Sequence, residues 1–210
     1  MTDSYYILED GDQKGPYSLD ELIDLQPDIH TRVLSPNEDT WVDACDVPEL
    51  NPYFESFGVY FPTGDNLASF WWRALAFIID FVIFSFIFSF IMALFASYGI
   101  IPVIKSMEQM LKLPYGDLVK IQVIVYGTFI IYNSAGEASP LKGSIGKKVC
   151  RLVVVDADGL SLTVLNSLIR SLGKAFSMFF WGIGFLSVFF TEHKQALHDL
   201  VARSYVIKRD

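Results

Sequence analysis

The stretch ALAFIIDFVIFSFIFSFIMALFASYGIIPVI, residues 74–104, decides the fold. Asp80 is its only formally charged side chain. As a helix at about 1.5 Å per residue, even the part from Phe81 to Ile104 exceeds the roughly 30 Å hydrocarbon core of a bilayer. An acid at mid-membrane costs on the order of 2.5–3.5 kcal/mol, so it needs a compensating partner or a function. Arg73 lies seven positions earlier. Seven helical residues turn through about 700°, which puts Arg73 and Asp80 on one face, about 10 Å apart in depth. That distance is beyond a direct i,i+4 ion pair, so the partner of Asp80 is expected on another segment.

The composition agrees with a membrane chain: 52% hydrophobic, 15% aromatic and only 19% charged, against about 25% charge in a soluble domain. The net charge of −8 conceals an asymmetry. Residues 1–69 hold 2 basic and 15 acidic side chains, a net of −13, and the remainder carries +5. Two modules in different surroundings are indicated. The acidic half argues against nucleic acid. Cys45 and Cys150 fall in different modules and read as free thiols of a reducing compartment. Met1 to Asp12 is polar and acidic, without the basic and apolar regions of a cleavable signal peptide, so the first apolar run is expected to act as its own insertion signal.

Residues 1–50 read as a small α+β head. Tyr5–Leu8 is a strand candidate, Glu9–Gly15 a polar hairpin turn, and Thr31–Leu34 and Thr40–Val42 further strands. Ser18 with Glu21 three positions on forms a capping box for a short helix bearing Leu19, Leu22, Ile23 and Leu25. Tyr6, the run Gly15-Pro16-Tyr17-Ser18-Leu19-Asp20-Glu21-Leu22, Thr31 with Val33, and Trp41-Val42-Asp43-Ala44 resemble a GYF-like domain of the bacterial type. The resemblance implies binding of a proline-rich or other cytosolic peptide, carried over to Tyr6, Tyr17 and Trp41. A preformed polyproline helix loses little entropy on docking to such rings. The segment lacks the Gly-Tyr-Phe tripeptide of the eukaryotic domains, and the same rings also suit a small core.

Residues 51–67 read as an aromatic and proline-rich linker, and residues 68–210 as an α-helical membrane domain. Two full spans are expected, about Phe70–Tyr98 and Leu118–Ala135. A third apolar segment, Ala175–Phe190, is broken by Trp181-Gly182-Ile183-Gly184. Lys142, Lys147, Lys148, Arg151, Arg170 and Lys174 flank the stretch between the second and third runs and should be cytoplasmic, which places the head in the cytoplasm as well. Cys150–Val155 and Ala202–Lys208 read as strands, and their pairing as a short cytosolic hairpin would make the third segment turn back at its glycines. A plain third span with the C-terminus outside is the alternative.

Trp72-Arg73 with Asp80, Gly146-Lys147 followed by Leu152-Val153-Val154-Val155-Asp156 and Asp158-Gly159, and Gln195-Ala196-Leu197-His198-Asp199 together resemble the RDD family, named for an arginine and two aspartates. Arg73, Asp80 and Asp199 would be that triad. The resemblance implies a multi-pass protein of the cytoplasmic (inner) membrane, some relatives of which are proposed to move cations or protons. Other motifs fail. Gly143–Lys148 lacks phosphate-loop spacing, and His193 and His198 are five apart rather than four. No protease or hydrolase signature occurs, so no enzyme, cofactor or metal is expected. Two functions stay open. In one, a homo-oligomer in the lipid bilayer moves a cation or proton through the triad. In the other, a membrane-anchored adaptor recruits a cytosolic protein through its head.

Overall fold

The computed structural model describes residues 4–9, 11–36 and 38–209. The chain forms two compact units, Met1–Phe61 with Ala157–Leu160, and Pro62–Asp156 with Ser161–Asp210.

The first unit carries β1 (Tyr5–Glu9), β2 (Asp12–Tyr17), α1 (Leu19–Asp24), β3 (Arg32–Leu34), β4 (Val42–Asp43) and α2 (Asn51–Ser56). Its sheet is antiparallel in the order β2-β1-β3-β4. Along β1, Tyr5 and Ile7 turn into the core while Tyr6 is half-buried and Leu8 exposed, the period of a strand with one covered face. The expected polar turn at Glu9–Gly15 is largely strand instead, since β2 begins at Asp12 opposite Glu9. Asp12–Pro16 are all exposed on this outer strand, so no apolar alternation marks it, and an edge position tolerates Pro16. Ser18 and Glu21 form the expected capping box, with Glu21 accepting from the Ser18 backbone at 2.8 Å. Such a cap contributes about 1 kcal/mol and fixes α1 with Leu22 fully buried. Residues 51–61, read as the start of a linker, contribute Phe54 to this core, with Tyr53, Val59 and Phe61 packed against it.

The second unit holds α3 (Phe70–Ser97), α4 (Met107–Leu111), α5 (Tyr115–Ala138), α6 (Ile145–Val149), β5 (Leu152–Val155), α7 (Val164–Phe179), α8 (Ile183–Leu186), α9 (Leu197–Val201) and β6 (Tyr205–Lys208). α3 and α5 are long and apolar enough to cross a membrane. Within α3, Ser85 and Ser89 donate to the carbonyls of Phe81 and Ser85 at 2.7 and 2.8 Å, so neither hydroxyl is left bare among apolar residues. Tyr132 near the end of α5 bonds Asp80 near the start of α3, so the two helices run antiparallel.

β5 and β6 pair antiparallel, Val153 opposite Ile207, as the sequence suggested. Residues 66–68 extend this pair, with Ala68 N donating to Val206 O at 2.9 Å. The third apolar segment differs from expectation at its start. Its helix begins at Val164, not near Ala175. Ser167, Arg170, Ser171, Lys174 and Ser177 are buried, whereas Leu165, Leu172, Phe176 and Phe179 are exposed. α7 is therefore amphipathic with its polar face inward, a pattern that periodicity alone reads as a loop or a surface helix. The expected break falls at Trp181 and Gly182, at φ 56° and 79°, and the chain turns by 113° into Ile183–Phe189. Gly182 suits a left-handed backbone that carries a steric cost for other residues.

Candidate functional site: a buried charge network beside a cavity

Asp80 finds its partners on other segments, as its spacing from Arg73 demanded. Tyr132 Oη and Gly146 N donate to Oδ1 at 2.7 and 2.8 Å, and Ser144 Oγ donates to Oδ2 at 2.5 Å. These partners are two hydroxyls and an amide; Arg73 pairs elsewhere. Asp80 also lies ten residues into the 28-residue α3, about 15 Å along a helix of about 42 Å, short of the mid-span position expected. Gly146 permits the arrangement. A Cβ there would collide with the Ala76 carbonyl and come within 2.9 Å of the Asp80 amide nitrogen.

The other two triad members meet. Arg73 Nη1 donates to Asp199 Oδ2 at 2.5 Å, and Arg73 Nε to Ala68 O at 3.1 Å. The other Asp199 oxygen accepts from Arg170 Nε at 2.9 Å and also from Arg170 Nη2. Arg170 Nη1 then reaches Glu137 Oε1 at 2.6 Å, where Lys147 also donates at 2.5 Å and Lys174 completes the set. Lys174 donates in addition to Asn133 Oδ1 at 3.0 Å. Glu137, Arg170 and Asp199 are fully or almost fully buried.

Burial would raise the Asp199 carboxyl, but Arg170, His198 and Arg73 hold it well below the usual range. Burial brings the His198 imidazole down to about 3 despite Asp199, so the ring is neutral at physiological pH. Burial lowers the Lys147 ammonium, with Glu137 opposing and Arg170 assisting.

Glu137, Arg170, Lys174 and Lys147 escaped the sequence reading as site residues. Arg170 and Lys174 served there only as topology markers, and Lys147 as a topology marker and as part of the Gly146-Lys147 motif. For Arg170 and Lys174 the signal was their spacing with Ser167, Ser171 and Ser177, one helical face of polar residues in an otherwise apolar segment.

A cavity of about 600 Å³ opens beside the network. Arg73, Asp80, Lys147, Arg170, Lys174 and His198 stand on its wall. The rest is mainly apolar, with Phe77, Phe81, Phe84, Phe129 and Phe185 among the lining rings. Among the described residues, Arg73 Nη2, Glu137 Oε2 and His198 Nδ1 are buried polar atoms with no hydrogen-bond partner.

In the N-terminal unit, Tyr6 lies opposite Leu34, Tyr17 opposite Tyr5, and Trp41 just before β4. All three are half-buried, while Tyr5 takes the core position. Asp43, Cys45 and Asp46 bring ligand atoms within 4.8 Å of one another, the one such grouping among the described residues. Burial, Asp46 and Asp43 push the Cys45 thiol up, which disfavours the thiolate a metal needs.

Comparison with known proteins places these observations. The GYF domain 2 family matches residues 5–50. The Bacillus subtilis (strain 168) protein designated "Uncharacterized protein YxaI" is 29% identical over 146 residues, 67% of this chain and 96% of that protein. "Protein FAM8A1" of Homo sapiens is 28% identical over 116 residues, 50% of this chain and 28% of that protein. No solved structure matches the chain. The chain is thus a membrane protein with an N-terminal GYF-type interaction domain. With Arg73, Asp80 and Asp199 inside the matched residues 67–203, it belongs to the RDD family.

Proposed function

We propose that the protein is transport-related and non-enzymatic, that its cavity receives a solute beside the buried charges, and that its N-terminal domain docks a cytosolic peptide. The observation carrying this reading is a cavity of about 600 Å³ between apolar helices with Arg73, Lys147, Arg170 and Lys174 on its wall. Ionisable groups within membrane segments are costly and are retained where they bind or relay something. Formally, four cations face the three carboxylates of Asp80, Glu137 and Asp199. Asp80, on which a cation or proton path would centre, already accepts three hydrogen bonds. The charge balance favours an anion over a cation. Two spans and a bent segment enclose little volume, which favours a homo-oligomer.

A cytoplasmic N-terminus in the inner membrane suits the exposed Lys148, Arg151, Arg203 and Arg209 at the α5 C-terminal end. The other end carries fewer cations, Lys105, Lys112 and Lys120, the last two paired with Glu108 and Asp117.

The saturation of Asp80 favours a second reading, in which the triad only locks the fold and the protein is a membrane-anchored adaptor. Flux of Na⁺, K⁺, H⁺, chloride and phosphate into proteoliposomes, wild type against Asp80→Asn at matched incorporation, separates the two. Flux above protein-free vesicles supports transport. No flux of any species, with a cytosolic partner retained by the full chain and lost on deleting residues 1–50, supports the adaptor.

A further inference from the structure

We propose that the cavity holds an anionic phospholipid of the surrounding bilayer, its phosphate at the Arg73–Lys147 end and an acyl chain along the aromatic arm. This rests on the reading of the cavity as the working site and names its ligand class.

Four observations converge. First, the wall combines four cations, Arg73, Lys147, Arg170 and Lys174, set against the carboxylate of Asp80, with an apolar arm that includes Phe77, Phe81, Phe84, Phe129 and Phe185. A small hydrated anion would use only the cations. Second, the cationic end has unspent capacity. Lys147, Arg170 and Lys174 all converge on one oxygen of Glu137, and Arg73 Nη2 is a buried donor without an acceptor. His198 lines the same cavity with a side chain only 5% exposed, and its Nδ1 also lacks a partner. A phosphate oxygen satisfies the first orphan and a headgroup hydroxyl the second. Third, the aromatic arm is not sealed: Phe77, Phe81 and Met178 line it yet remain 43%, 59% and 40% exposed. Their neighbours Ile78 and Val82 lie on the exposed apolar surface of α3, so the arm opens where lipid tails lie. Fourth, Arg73 follows Trp71 and Trp72, both exposed, and such rings settle at headgroup depth. The volume of about 600 Å³ lies within the roughly 300–1,000 Å³ of ligand sites.

Native mass spectrometry of the full chain with an equimolar mixture of phosphatidylglycerol and phosphatidylcholine tests the proposal. Retention of phosphatidylglycerol over phosphatidylcholine by about tenfold is expected, roughly 1.4 kcal/mol of headgroup discrimination. Lys147→Met removes one cation and leaves Glu137 with two, and should abolish that preference. Val125→Trp fills the arm without touching a charge, and should release the bound lipid. Equal retention of the two lipids, or no effect of Val125→Trp, overturns the proposal. Displacement of the lipid by millimolar inorganic phosphate, with Val125→Trp binding phosphate normally, overturns it in favour of a free-anion site. The wild-type competition decides even if Lys147→Met does not fold. Lipid selectivity without flux keeps this inference and sinks transport; flux without lipid selectivity does the reverse.

Discussion

Arg73 and Asp199, 126 positions apart, are joined at 2.5 Å, and Arg170 takes the other oxygen of the same carboxylate. The start of the first span, the middle of α7 and the start of α9 are tied through one side chain. Through Arg170 the tie continues to Glu137 at the end of α5.

Arg170 bridges the two buried acids, so Arg170→Met should strip two hydrogen bonds from Asp199 and one from Glu137, leaving them to Arg73 and to the two lysines, and destabilise the protein by about 3 kcal/mol. Arg170→Lys should rescue little, because a lysine lacks the fork that serves both carboxylates. Thermal unfolding in detergent reads both variants, and a lysine variant as stable as wild type would refute the bridging role.

Gly146→Ala should lower stability by about 1–3 kcal/mol through its collision with the Ala76 carbonyl. Gly116→Ala, where an added Cβ meets nothing within 4 Å, is the control. Similar unfolding temperatures for the two would remove Gly146 as the reason α6 can approach α3.

His198 carries a pKa near 3 in the fold against about 6.5 when free. Between these values the unfolded chain binds the proton and the folded chain does not, so stability falls as pH drops below about 6.5. At pH 5 the loss is about 2 kcal/mol relative to pH 7. Asp199, depressed in the fold, adds a further loss only as pH falls below about 4. Unfolding temperature against pH should show the first loss in wild type and little of it in His198→Phe. An identical slope in that variant would assign the acid lability elsewhere.

In the head, Tyr6→Ala and Trp41→Ala should weaken peptide capture by the full chain while leaving it folded, since both rings are half-buried. Tyr5→Ala should unfold the domain, at a cost of about 3–5 kcal/mol for a core aromatic. Fluorescence anisotropy with a labelled proline-rich peptide and circular dichroism distinguish these outcomes. Unchanged affinity in both Tyr6 and Trp41 variants would remove that surface as the docking site.

Much of the fold was legible because the sequence patterns had simple periods. The 28-residue α3, the Ser18–Glu21 cap, the β5–β6 pairing and the Gly182 break are each written in local chemistry. β2 was not, because an edge strand exposed on both faces has no alternation to display. Of the site, Arg73 and Asp80 stood out by residue type and surroundings, and Asp199 through the resemblance to the RDD family. Glu137 and Arg170 did not, because a charge near the end of an apolar run reads as a surface feature until a partner segment faces it. The polar face that Arg170 shares with Ser167, Ser171, Lys174 and Ser177 is written in the spacing, but only the tertiary contacts show that it turns inward.

The reversed polarity of α7 bears on biogenesis. Placed alone in hydrocarbon, Arg170 and Lys174 would each cost about 2.5–3.5 kcal/mol. Their counter-charges sit on segments made at different times: Glu137 precedes them in synthesis and Asp199 follows. The segment therefore has no stable solitary state in the bilayer. It settles against α5, and Arg170 is fully compensated only when Asp199 has followed. The membrane body is thus completed only once α9 has been made and docked.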